Sequence, residues 1–169
     1  MDKSGTTPTR KVSRIVFRVA AVLTVVFAFL VRLMGFGWLL IIYGPALLFL
    51  AVLHLIIQFA ASAQRARTGW PSGVWLVVSD VLFFLGFGVQ ADGGDVGGCY
   101  VGLVNLLATL RGIRALGGTI EFESFTACEK WNNFALVLLG SLVTTWVIMI
   151  VLMVLHPPKV QVPGAAPAA

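Results

Sequence analysis

Four long apolar runs, over residues 15–33, 38–61, 74–90 and 134–155, restrict the fold of this chain more than any other feature. A bilayer's hydrocarbon core is about 30 Å thick, and about 20 helical residues cross it. Three runs reach that length and the third falls slightly short. Hydrocarbon offers no hydrogen bonds, so segments that cross it are helices or closed barrels. Barrel strands alternate apolar and polar residues, and these runs do not. The expected fold is all-α, a four-helix transmembrane bundle spanning residues 15–156. A basic, disordered segment (1–14) precedes it and a Pro/Ala-rich, disordered tail (157–169) follows.

Composition agrees with a bilayer as the main partner. Mean hydropathy is +0.96, and only 11% of the residues are charged, against about a quarter in soluble domains. The net charge of +5 is spread along the chain rather than gathered on one soluble face, so nucleic acid is not an expected partner. Its placement speaks to orientation instead. Lys3, Arg10, Lys11, Arg14, Arg18, Arg65, Arg67 and Lys159 fall on one side of four alternately threaded spans. Arg32, Arg111, Arg114 and Lys130 fall on the other, diluted by Asp92, Asp95, Glu121, Glu123 and Glu129. The positive-inside rule then puts both termini in the cytoplasm, in a multi-pass protein expected at the plasma membrane.

The turns read as follows. Gly35-Phe36-Gly37 is short enough to force an antiparallel hairpin. Gly44-Pro45 predicts a kink in the second span, and Pro71 suits the first turn of the third. The outer segment, residues 92–133, opens with a glycine-rich exit in which Asp92 and Asp95 sit in a solvated turn. Tyr100, Leu103, Leu106, Leu107, Leu110 and Ile113 then recur at helical spacing. This predicts a short amphipathic helix capping the extracytoplasmic end. Residues 119–123 alternate like a short strand. Thr126-x-x-Glu129 matches a capping box, which would start the fourth helix near Ala127.

Cys99 and Cys128 bracket the outer segment, on the side expected to be oxidising, and an even count there favours a disulfide. In the chain-entropy model, closing a loop of this length contributes about 3.6 kcal/mol. No C-x-x-C redox motif is present. His54 and His156 lie toward the opposite face from the cysteines, so no metal or cofactor is expected.

Charge inside the apolar runs is the sharpest functional clue. Arg18 lies a turn into the first span, His54 well inside the second and Asp80 within the third. At about 1.5 Å per residue His54 and Asp80 lie at similar depths, roughly 10 Å in, and Arg18 at roughly 6 Å. These depths make an Arg18–His54–Asp80 polar cluster geometrically feasible. An acid near a helix centre costs about 2.5–3.5 kcal/mol on the insertion scale, against about 3–6 kcal/mol returned by the apolar residues of that span. Asp80 therefore needs a partner. Small residues mark packing faces: Ala20, Thr24 and Ala28 on the first span, Gly37, Gly44 and Ala51 on the second, and Gly140, Ser141 and Thr144 on the fourth.

A short first loop and a cysteine-bearing segment between spans three and four resemble the layout of tetraspanins. The Cys-Cys-Gly motif of that family is absent, so none of its properties is carried over. No nucleophile or metal set accompanies the intramembrane residues, and an enzyme is not expected. The leading expectation is a non-enzymatic accessory or scaffold subunit of a membrane assembly, binding another integral membrane protein or a second copy of itself. The alternative is a small ion, proton or solute transporter using Asp80, His54 and Arg18.

Overall fold

Once an apolar helix is surrounded by lipid, its large side chains can face outward at little cost, and polar or small ones turn inward. The computed structural model, which describes residues 8–34, 38–68, 70–93, 99–112, 121–122 and 125–156, follows that logic. Its long helices are α1 (Pro8–Leu33), α2 (Trp38–Thr68), α3 (Trp70–Val89) and α5 (Phe125–Leu155), with short α4 (Gly102–Leu110) between the last two. The architecture is all-α. Three helices are long and apolar enough to cross a membrane, over Val12–Leu33, Ile42–Arg65 and Thr126–Leu155. A shorter apolar stretch, Gly73–Val89, packs with them. The chain is a small multi-span membrane protein.

The shortest of the four sits at the centre. Leu76, Ser79, Phe83 and Phe87 of α3 are all fully buried, at the three- and four-residue spacing that keeps side chains on one helical face. Helix α3 packs most heavily on α5 and α1, and also touches α2 and α4. Against it lie Ala28 of α1, Leu47, Ala51 and Ile57 of α2, and Leu142, Trp146 and Met149 of α5. Outside, valines and leucines stay open, among them Val26, Leu48, Val137 and Val151. Successive long helices run antiparallel. Arg65, near the end of α2, reaches Phe17 near the start of α1 and Gly73 near the start of α3. Gln64 donates to the carbonyls of Met153 and His156 at the end of α5, 2.7 and 2.6 Å away.

Several boundaries depart from expectation. Helix α1 begins at Pro8 rather than near Ile15; proline is well suited to a first turn, and nothing from Thr9 to Arg14 breaks a helix. Helix α3 does carry Pro71 in its first turn, as expected, and Pro45 lies inside α2. Helix α5 starts at Phe125, so Thr126 lies inside its first turn instead of capping a helix from Ala127. At 31 residues it is about 46 Å long and overshoots the hydrocarbon core. The Gly35–Gly37 hairpin, Asp95, residues 1–7 and the 157–169 tail lie outside the described residues.

The outer end holds the largest surprise. Its glycine-rich exit is a strand, β1 (Ala91–Gly93), paired antiparallel with β2 (Cys99–Val101), which pairs in turn with β3 (Glu121–Phe122). Ala91 faces Val101 and Gly93 faces Cys99 across the first pair. Tyr100 is therefore a strand residue, and the capping helix starts only at Gly102. The short capping helix expected here is present. Gly102, Asn105 and Ala108 face the bundle, while Leu107 and Leu110 are exposed. Gly102 allows the contact: a Cβ there would stand 2.3 Å from the carbonyl oxygen of Val31.

Candidate functional site

Asp80 and its partners lie between α2 and α3. His54 and Gln58 are one turn apart on α2, so both side chains meet α3 on the same face. His54 Nε2 lies 3.0 Å from Asp80 Oδ1. Gln58 Nε2 donates to the same oxygen at 2.8 Å and to the Leu76 carbonyl at 3.0 Å. Facing a carboxylate, Nε2 carries the hydrogen. Hydrogen bonds to a charged group contribute about 1.5–3 kcal/mol each. Two of them offset the roughly 2.5–3.5 kcal/mol cost of placing the acid in the span.

Aromatic rings close around this group. The imidazole stacks on Phe83 with centroids 4.4 Å apart, Phe83 stacks on Phe87 at 4.3 Å, and the Trp146 ring stands 5.9 Å from His54. Trp146 Nε1–H donates to Ser79 Oγ at 3.1 Å, which fastens α5 to α3 at the same level. His54 is fully buried, whereas the Asp80 side chain retains 13% exposure. His54 Nδ1 is buried without a hydrogen-bond partner among the described residues.

Arg18 does not join this group. Its guanidinium lies over the Phe59 ring, 5.3 Å from the centroid, and among the described residues it forms no ion pair with Asp80. Phe59 follows Gln58 directly and points to another side of α2, so Arg18 is drawn past the acid. The small residues divide as well. Ala28 and Ala51 are buried in the core, and Ala20 and Thr24 are half-buried. Gly37 lies outside the described residues. Gly44 and Gly140 would meet nothing within 4 Å if a Cβ were added, and Ser141 and Thr144 are exposed. These four do not mediate packing within the chain. The hydroxyls of Ser141, Thr144 and Thr145 donate to the carbonyls of Val137, Gly140 and Ser141 in their own helix, a local bond that leaves no hydroxyl hydrogen for a neighbour.

A second polar site, absent from the sequence reading, lies under the outer cap. Arg32 Nη2 is 3.1 Å from Asp92 Oδ2, with exposures of 1% and 0%, so the ion pair is fully buried. The other terminal nitrogen of Arg32 donates to the Gln90 carbonyl. Asn105 donates to the Met34 carbonyl at 2.9 Å, and the Ala91 amide donates to Asn132 Oδ1 at 3.1 Å. The solvated turn expected at Asp92 is thereby overturned: strand pairing with β2 carries this residue inward to meet the end of α1. Beside it, Cys99 and Cys128 form a disulfide with Cα atoms 5.8 Å apart. The bond ties β2 to the start of α5, next to Ala91, Val101 and Trp131.

Sequence reasoning missed Gln58, although its four-residue spacing from His54 was there to be read. It also missed the pair between Arg32, at the end of α1, and Asp92, in strand β1. Among the described residues no group of three His, Cys, Asp or Glu side chains is placed to hold a metal. No family model matches the chain, and neither a curated protein nor a solved structure matches it.

Proposed function

We propose that this chain is a non-enzymatic accessory or scaffold subunit of a membrane assembly, seated in the plasma membrane with both termini cytoplasmic. One observation carries the reading. Helix α5 presents an outward face on which Gly140, Ser141 and Thr144 lie uncovered between exposed Val137 and Val147. Small residues let a second helix approach closely, and such contacts drive helix association in lipid. The state of the intramembrane acid supports the same reading, because its partners act as cross-links between α2 and α3 and aromatic rings pack over them. The partner is another integral membrane protein or a second copy of the chain.

The test is isolation from native membranes in mild detergent, comparing the wild type with Gly140→Leu and Thr144→Leu. A stoichiometric partner, or a dimer, that is lost from both variants supports the proposal. A chain that runs as a monomer alone in both backgrounds refutes it.

The transporter reading draws on one specific observation, the buried and unpartnered His54 Nδ1 beside an acid with residual exposure. An imidazole so placed can pass a proton. In liposomes carrying a pH-sensitive dye, that reading requires a flux that Asp80→Asn abolishes, and the scaffold reading requires none.

A further inference from the structure

Arg14, Arg18 and Arg65 lie near the end of the bundle where α1 begins and α2 ends. Arg14 and Arg18 are one turn apart on α1, and so on one face. Arg65 comes from α2, with its guanidinium 4.1 Å from the Phe17 ring centroid and packed against Gly73 near the start of α3. Each of the three has a buried side-chain nitrogen without a hydrogen-bond partner: Arg14 Nε, Arg18 Nε and Arg65 Nη1. Among the described residues the only ion pairs are Arg32–Asp92 and His54–Asp80, so none of the three arginines is neutralised. Arg14 and Arg18, side by side on α1 with no acid paired to them among the described residues, form a site lacking its anion. A guanidinium held over a ring still presents its N–H fork at the edge, where it suits a phosphate.

The seam between α1 and α2 tells what the anion is attached to. A groove of about 390 Å³, lined only by apolar side chains, runs along it between Val25, Phe29 and Leu30 on one side and Leu48, Val52 and Leu55 on the other. It is in line with the Arg18–Phe59 contact on both helices. Val25 and Phe29 follow Arg18 by seven and eleven residues, and Leu55, Val52 and Leu48 precede Phe59 by four, seven and eleven. These are the spacings of a single helical face. The groove therefore starts about 10 Å deeper than Arg18 and continues to about 18 Å.

We infer that this seam binds one anionic glycerophospholipid, with its phosphate at Arg14 and Arg18 and an acyl chain in the groove between α1 and α2. The lipid supplies at one end the charge that the arginines lack. At the other it fills an apolar channel that the chain's own side chains leave open. Basic pockets between membrane helices recognise anionic headgroups in this way. A free phosphate would satisfy the arginines but would be indifferent to the groove.

The experiment is native mass spectrometry of the full chain in detergent, titrated with dioleoyl phosphatidylglycerol, dioleoyl phosphatidylcholine or inorganic phosphate. Retention of phosphatidylglycerol well above phosphatidylcholine is expected. The double variant Arg14→Gln/Arg18→Gln should weaken retention about 25-fold, at about fivefold per arginine. Val52→Trp, which fills the groove and leaves every arginine in place, should also weaken it, and Arg18→Lys, which keeps the charge, should largely preserve it. Formation of the Cys99–Cys128 bond reports that each variant is folded. Equal retention of the two lipids overturns the proposal, as does a Gln pair that binds like wild type. Displacement of phosphatidylglycerol by inorganic phosphate, together with an inert Val52→Trp, would show an anion site only and would also overturn it.

Discussion

Replacing Arg32 by Met removes the buried cation that faces Asp92, and replacing Asp92 by Leu strands Arg32 at 1% exposure. Removing one member of a buried ion pair costs about 3–5 kcal/mol, because the charge left behind has lost both its water and its partner. The Arg32 variant also frees the Gln90 carbonyl, a loss of about 1–3 kcal/mol for a buried acceptor, which places it at the upper end of that range. The two single changes should therefore each remove a large share of the stability expected of a chain this size, about 5–15 kcal/mol in total. The double variant Arg32→Met/Asp92→Leu leaves no orphaned charge. Apolar replacements of whole buried pairs are often neutral or stabilising, so it should recover at least 2 kcal/mol over the worse single variant. Unfolding in mixed micelles by titrated dodecyl sulfate, followed by tryptophan fluorescence, measures all four corners of this double-mutant cycle. Single variants within 1 kcal/mol of wild type, or a double variant equal to the sum of the singles, would refute the claim that these two charges hold the cap to the bundle.

Other outcomes follow from the same structure. Gly102→Ala should cost about 1–3 kcal/mol, because its Cβ would stand 2.3 Å from the Val31 oxygen; proteolysis at Arg111, accelerated as α4 lifts, measures it. Gly44→Ala meets nothing within 4 Å and should be neutral or gain about 0.5–1 kcal/mol in the helix, seen as an unchanged or higher melting temperature in detergent. Cys99→Ser should remove about 3.6 kcal/mol and abolish the mobility difference between reduced and non-reduced samples. Gln58→Leu deletes a donor to both Asp80 and the Leu76 carbonyl and should cost about 1–3 kcal/mol, whereas Arg18→Gln should leave the Asp80 group intact, a contrast read from thermal melts of the two proteins.

The spans were legible because hydrocarbon thickness sets a length that composition alone reveals. Pairing of Cys99 with Cys128 was legible because two cysteines allow only one bridge within the chain. His54 and Asp80 could be matched by depth, since rise per residue is constant. Rotation about each helix axis is not given by depth, and so Arg18, at a suitable height, was wrongly aimed. The cap escaped for a different reason. Asp92 and its flanking glycines read locally as a turn, but the residues that make them a strand and a buried ion pair are Tyr100 and Arg32, eight and sixty positions away. Helix α4 was legible from its apolar spacing, but that spacing does not say which face meets the bundle. The Met34 carbonyl draws Asn105 inward, and exposed leucines cost nothing where lipid replaces water. Small-residue periodicity located faces on α2 and α5 without saying which neighbour each face has.

Both paired acids come after their mates in the chain. Arg32 is synthesised 60 residues before Asp92, and His54 and Gln58 precede Asp80 by 26 and 22. A ribosome feeding this protein into a bilayer thus delivers a guanidinium, an imidazole and an amide donor first, on two helices longer than α3. The marginal third helix emerges afterwards into a berth already furnished for its carboxylate. Reversing the order of the first hairpin and the third helix in a permuted gene would ask the acid to wait alone in oil, and such a chain should stall at the translocon.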